Sequence, residues 1–232
     1  MHFTRLTRRI AIVSLTLSIL GFWQVTLADR GNRAPKESEK TPDSWEENAC
    51  SGGLSQTLRL GGEVNNPTTY DLQKLINLQE NLKNQNPAVV TEITVSFQTG
   101  AGPRTETYYG VPLWELINNE ISSGGLQAGN SGQNSKNAFL RQYVLAEATD
   151  CYGAVVAIGE IHPNFEGKQV LVAYAKKASD GSIQYLTDTD EGFARLVVPS
   201  DKAGGRYISN VRNILVLSAP ASPLKPKYFR QN

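Results

Sequence analysis

From about residue 54 to residue 217 the chain advances in short apolar runs, each soon interrupted by Gly, Pro, Asn or Asp. This texture limits the fold more than any other feature, because no run is long enough for a large helical bundle. In the stretch 93–98, Ile93, Val95 and Phe97 alternate with Thr94, Ser96 and Gln98, the period-two pattern of a strand with one buried face. Further strand candidates are 58–60, 143–148, 170–175, 194–198 and 214–217, with 153–158 as another. Two helices are expected. One is short, capped by Thr68 or Thr69, with Leu72, Leu75, Ile76 and Leu78 on one face; the other opens at Val111-Pro112 with Leu113, Leu116 and Ile117 inward. Residues 161–165 suit a turn or a single helical turn. Strands outnumber helices and show no regular βαβ alternation, so the expected class is α+β with a mixed or antiparallel sheet.

The ends have a different character. Arg5, Arg8 and Arg9 precede an apolar run from Ile10 to Leu20, followed by Gly21 and a stretch ending in Ala28. This three-part pattern is that of a secretory signal peptide over residues 1–28, cleaved after Ala28. The alternative is an uncleaved anchor, the one way this chain would touch a membrane; Ser14, Thr16, Ser18, Gln24 and Thr26 dilute the run. Thr7-Arg8-Arg9-Ile10 is also a candidate twin-arginine signal. Either route implies a periplasmic or secreted protein. Residues 29–53 form a charged tether with too little apolar surface to offset ordering entropy, residues 54–217 the domain, and 218–232 a Pro-rich tail. The Gly/Ser/Asn/Gln-rich run 122–137 reads as a long, mobile surface loop.

Charge and rare residues exclude several functions. The chain holds 23 Lys+Arg and 22 Asp+Glu; without the three N-terminal arginines, 20 basic residues face 22 acidic ones, a net charge of −2. That balance speaks against a binder of nucleic-acid backbone. With two cysteines and two histidines, a zinc finger, a four-cysteine cluster or a multi-histidine metal site cannot be built. In an oxidising compartment, Cys50 and Cys151 are expected to form a disulfide; the alternative is Cys151 as a displaced metal or redox ligand. His162, before Pro163, reads as a surface residue. A hydrolytic triad of His162 and Asp150 with Ser96 or Ser200 has no supporting spacing. Tyr108, Tyr109 and Trp114 read as core or edge aromatics. Lys202 to Arg206 (KAGGR) form a basic, flexible loop suited either to a small anion or to a plain turn.

Five segments in order carry a resemblance: LRLGGEVNNPTTYDLQKL (58–75), YYGVPLWELI (108–117), ATDCYGAVVAIGEI (148–161), QVLVAYA (169–175) and ARLVVPSDKAGGRYISNVRNILV (194–216). Together they resemble the molybdopterin-binding domain of the sulfite oxidase family. The resemblance implies that family's α+β fold, a molybdopterin cofactor and oxidoreductase chemistry, with Asp150, Tyr152, Arg195, Lys202 and Arg206 lining the cofactor cleft. It also implies a cysteine thiolate on the metal, from the strand before the Gly-Val-Pro-Leu helix. Here that strand region, ITVSFQTGAG (93–102), has Ser96, Gln98 and Thr99 but no cysteine, and a neutral hydroxyl or amide is a poorer soft-metal partner. Ser209 stands where catalytic members carry a lysine, and Cys151 where the family has a turn glycine. Two functions are therefore open: an exported module with a degenerate metal site that binds a ligand, small anion or protein partner, or an active oxidoreductase with a non-cysteine ligand.

Overall fold

The structure, a computed structural model, describes residues 50–127 and 137–219. The expected signal peptide, most of the tether and all but the first residues of the tail lie outside the described residues, as do residues 128–136 of the expected loop. No helix among the described residues is long and apolar enough to cross a membrane.

The strands are β1 (Leu58–Gly62), β2 (Thr68–Tyr70), β3 (Glu92–Thr99), β4 (Gly102–Pro112), β5 (Gln142–Ala148), β6 (Gly153–Ala157), β7 (Leu171–Lys177), β8 (Ile183–Tyr185), β9 (Arg195–Val197) and β10 (Val211–Ser218). The helices are α1 (Leu72–Gln85), α2 (Leu113–Asn118) and the single turn α3 (Ile158–Ile161). One five-stranded sheet runs β2-β1-β10-β5-β6, and its only parallel pair is β1 with β10. A second runs β3-β4-β7-β8, with β9 also paired to β7, all antiparallel. The class is α+β, as expected.

β7 explains how the sheets share the interior. Val172 and Tyr174 pack into the main core with Leu60, Val144, Ile214 and Val216, whereas Leu171 and Ala173 face a smaller cluster with Val95, Phe97, Tyr108, Val197 and Tyr207. A strand buried on both faces needs a continuous apolar run, which is what LVAYA provides. Gly110 makes the β4–β7 contact possible: a Cβ there would lie 2.2 Å from the Val172 carbonyl oxygen, and the pairing register shifts beside it.

Four expectations need correction. α1 is not short: it has 14 residues, because a polar surface face continues past Leu78 while Leu82 keeps the buried stripe. Its cap is Asp71, whose carboxylate accepts from Lys74 N at 2.8 Å; Thr68 and Thr69 belong instead to β2. Val111 and Pro112 end β4 rather than open α2, since Val111 still pairs with Val172. The start of the expected loop is fixed: Ser123 is fully buried, Asn66 N donates to Ser123 O at 2.7 Å, and Leu126 bridges to Val64.

Candidate functional site

A cleft of about 350 Å³ opens where three pieces of chain meet: Gly52–Leu54, the turn between β5 and β6, and the stretch from Tyr207 to Asn210 that leads into β10. Each piece is held by local chemistry. In the β5–β6 turn, Asp150 Oδ1 accepts from Tyr152 N (2.9 Å) and Cys151 N donates to Ala148 O (3.1 Å). Closing this turn puts Cys151 at φ 65°, the left-handed region that suits glycine. Cys151 is joined to Cys50 by a disulfide with a Cα–Cα distance of 5.0 Å. The bond draws the domain's first residues over the turn, where Gly52 N donates to Thr149 O (3.1 Å) and the Thr149 hydroxyl to Gly53 O (2.6 Å). Asn210 ties the third piece in. Its backbone carbonyl accepts from Thr149 N (3.1 Å), its Oδ1 from Ser55 N (3.1 Å), and its amide donates to Asp190 O (3.3 Å).

The walls carry hydroxyls and carboxylates. Tyr207 stacks its ring on Phe97 (centroids 4.1 Å apart, planes at 12°), and its buried hydroxyl has no partner among the described residues. Burial, reinforced by the Asp201 carboxylate, raises the Tyr207 phenol's pKa, so at neutral pH it is a donor. Ser209 Oγ accepts from Arg195 Nη1 at 2.7 Å, which leaves the serine's own hydrogen free to be donated elsewhere. Asp150 and Asp190 add two carboxylates to the rim.

The sequence-predicted residues divide. Asp150 and Tyr152 line the cleft, and the Tyr152 hydroxyl crosses to the basic loop, donating to Gly205 O at 2.7 Å. Arg195 is buried behind it, bonded to Ser209, to Tyr207 O (3.3 Å) and to the Glu191 carboxylate. Glu191 also accepts from Lys176; burial opposes its charge, but the Lys176 hydrogen bond and the Arg195 charge outweigh burial and hold its pKa below the usual value. Arg206 forms a two-point pair with Asp201 (2.7 and 2.8 Å) and reaches Glu160 (3.2 Å), which also pairs with Lys168 (3.1 Å) and accepts from Ala157 N (3.3 Å). Lys202 is exposed, makes no ion pair among the described residues and does not line the cleft. None of the three cations therefore faces the cleft.

Other outcomes differ from the sequence reading. Cys151 is a disulfide partner, so the alternative of a metal or redox thiol is not realised. His162 is half-buried rather than an ordinary surface residue: it stacks on Phe139 and its Nδ1 accepts from Asn164 N. No hydrogen bond links it to Ser96, Ser200 or Asp150 among the described residues. Tyr207, Asn210, Glu191 and Asp190 were not singled out by sequence; only the position of Tyr207, directly after Gly-Gly-Arg, could have pointed to one of them.

The residues do not fit a thiolate-bound molybdenum centre. Both cysteines of the chain bond each other. On β3, Ser96 and Gln98 face outward, with Ser96 Oγ 2.7 Å from Thr105 Oγ1, while Thr99 bonds Gly102 O. The inward residue between them is Phe97, packed on Tyr207. Among the described residues no three His, Cys, Asp or Glu side chains converge as a metal site.

No family model and no curated protein matches the chain. Seventeen chains of solved structures match it. One is the sulfane dehydrogenase SoxCD from Paracoccus pantotrophus, at 18% identity and a TM-score of 0.48, covering 70% of this chain and 38% of that one. This chain thus spans well under half the length of that structure.

Proposed function

We propose that this chain is an exported binding module, built on a molybdopterin-domain-like α+β fold, that recognises a small polar ligand in the disulfide-bounded cleft. One observation carries the reading: the chain's only two cysteines are joined to each other at the cleft's rim, and the cleft is lined by Ser209, whose hydroxyl hydrogen is free, together with Asp150 and Asp190. A ligand oxygen would accept from the Ser209 hydroxyl, whose oxygen is already occupied by Arg195. An amine or hydroxyl on the same ligand would meet Asp150 or Asp190. With both arginines neutralised by carboxylates, this pattern suits a neutral or zwitterionic molecule better than the small anion suggested by composition. The disulfide and the N-terminal pattern both support an oxidising, exported location.

The test is to purify the protein from the export compartment of a host that makes molybdopterin, then measure bound molybdenum and released pterin. Neither is expected above the level of a control purification. Stoichiometric molybdenum would overturn the reading in favour of an oxidoreductase with a non-cysteine ligand. Intact mass checks export in the same sample: the expected N-terminus is Asp29, with two hydrogens missing for the Cys50–Cys151 bond.

A further inference from the structure

The Cys50–Cys151 bond lies at the surface, and both of its residues are exposed. A disulfide so placed meets external thiols without unfolding of the domain. Its two sulfurs differ in their surroundings. Arg212, on β10, donates from Nη2 to Cys151 Sγ at 3.3 Å. The Glu147 carboxylate on β5 steadies the same guanidinium, accepting from its Nε at 3.1 Å and from Nη2. Cys50 Sγ has no such donor among the described residues. A guanidinium beside a sulfur favours its thiolate, and in thiol–disulfide exchange the better-stabilised thiolate leaves faster. Cys151 is therefore the leaving group and Cys50 the sulfur attacked. The chemistry is that of the bond itself, since neither cysteine is a free thiol in the folded protein.

The bond also fastens a wall. Gly52, Gly53 and Leu54 line the cleft. Besides the disulfide, this segment is tied to the β5–β6 turn by Gly52 N to Thr149 O and by the Thr149 hydroxyl to Gly53 O. Once the covalent link is gone, those two hydrogen bonds work against the backbone entropy of two glycines.

We propose that the Cys50–Cys151 bond is a thiol-exchange site whose partner is a dithiol reductant of the same compartment, and that its reduction loosens the cleft wall. A thiolate of the dithiol attacks Cys50 Sγ; a mixed disulfide forms as the S–S bond breaks, and the electron pair leaves with Cys151 as a thiolate beside Arg212. The reductant's second thiolate then attacks its own sulfur in the mixed disulfide, and Cys50 departs as a thiolate. Two electrons and two protons pass to this chain, and the reductant is left as a disulfide. The exchange concerns the wall of the cleft and not the nature of its ligand, so neither proposal depends on the other.

Oxidised full-length protein recovered from the export compartment is mixed with glutathione without denaturant, quenched with acid at early times, alkylated and digested. Glutathione is expected on Cys50, at least about tenfold over Cys151. Dithiothreitol should complete the reduction at a rate that urea below the unfolding transition leaves unchanged. Arg212→Gln should slow that reduction about threefold or more. Should Arg212→Gln fail to fold, Glu147→Gln, which frees the guanidinium for the sulfur, must speed it. In reduced, alkylated protein the amides of 52–54 should exchange hydrogen faster while α1 keeps its protection. Glutathione mainly on Cys151, a rate that rises with urea, a rate unaltered by these substitutions, or unchanged exchange at 52–54 would each overturn the proposal.

Discussion

The Cys50–Cys151 bond gives the sharpest quantitative prediction, because it links residues 101 apart and also closes on a residue whose conformation suits glycine. On the loop-entropy model, opening a loop of about 100 residues lowers stability by about 4.7 kcal/mol at 25 °C. That is a ceiling. Cys50 and Ser51 are exposed, and once the bond is gone each can fray and recover about 1–2 kcal/mol of backbone entropy. Cys50→Ser with Cys151→Ser is therefore expected to lower stability by about 1–3 kcal/mol, and the melting temperature of a domain this size by roughly 5 °C.

A second pair, Cys50→Ser with Cys151→Gly, separates linkage from backbone strain. At φ 65° a residue with a Cβ is disfavoured by about 1–2 kcal/mol, and glycine is not. The glycine pair should accordingly be more stable than the serine pair by about 1 kcal/mol, part of the gain being lost to the freer unfolded chain. Urea unfolding of all three proteins without reductant, followed by circular dichroism, measures both differences. Equal midpoints for the intact protein and the serine pair would refute the stabilising role of the bond. Equal midpoints for the two pairs would refute the strain at Cys151.

Three other perturbations probe the rest of the domain. Glu191 has a pKa held below its usual 4.5 by Lys176 and Arg195 against the effect of burial, so its contribution is present above the unfolded pKa and lost as pH falls through the folded one; Glu191→Gln should lower stability by about 2 kcal/mol at pH 7 and flatten the acid limb of an unfolding curve. Gly110→Ala drives a Cβ to 2.2 Å from Val172 O and 2.6 Å from Ala173 Cα, both backbone; a loss of about 3 kcal/mol or outright misfolding is expected, read as yield and urea midpoint. Asp71→Ala removes the α1 cap and should lower stability by about 1 kcal/mol, read as a lower urea midpoint at unchanged slope.

How much of this was legible depended on whether the signal was local. β3, β5 and β7 announced themselves, the first two by alternation and the third by an unbroken apolar run. β4 did not, because its first half, Gly102 to Thr105, is mostly exposed and its buried residues gather only near Tyr108 and beyond. β8 is three residues long with Ile183 exposed, so it has no buried face to read. The disulfide came from counting, and Asp150 and Tyr152 from the family resemblance. The ionic pairings could not be read: Arg206 meets Glu160 across 46 residues, and Ser209 meets Arg195 across two different segments. Sequence shows which residues could bind an anion but not which already have a carboxylate.

That difference decides what the Gly-Gly-Arg loop does. A loop of this composition can approach a phosphate closely, but only if its cation is free. Arg206 already holds Asp201 at two points and Glu160 at a third, so an incoming anion would have to displace charge-assisted bonds, each ordinarily stronger than a neutral one. The loop lies against β3 instead: a Cβ on Gly204 would come into ordinary contact, 3.4 Å, with both Gln98 O and the Phe97 ring. Gln98 N bonds Lys202 O (2.9 Å), and Tyr152 bonds Gly205 O (2.7 Å). The loop is thus fastened to β3 on one side and to the β5–β6 turn on the other. Tyr207 comes directly after it in the chain, its ring fixed on Phe97 and its hydroxyl without a partner among the described residues. The charge that looked available for a ligand is spent on the loop that leads into Tyr207 and its ring contact with Phe97.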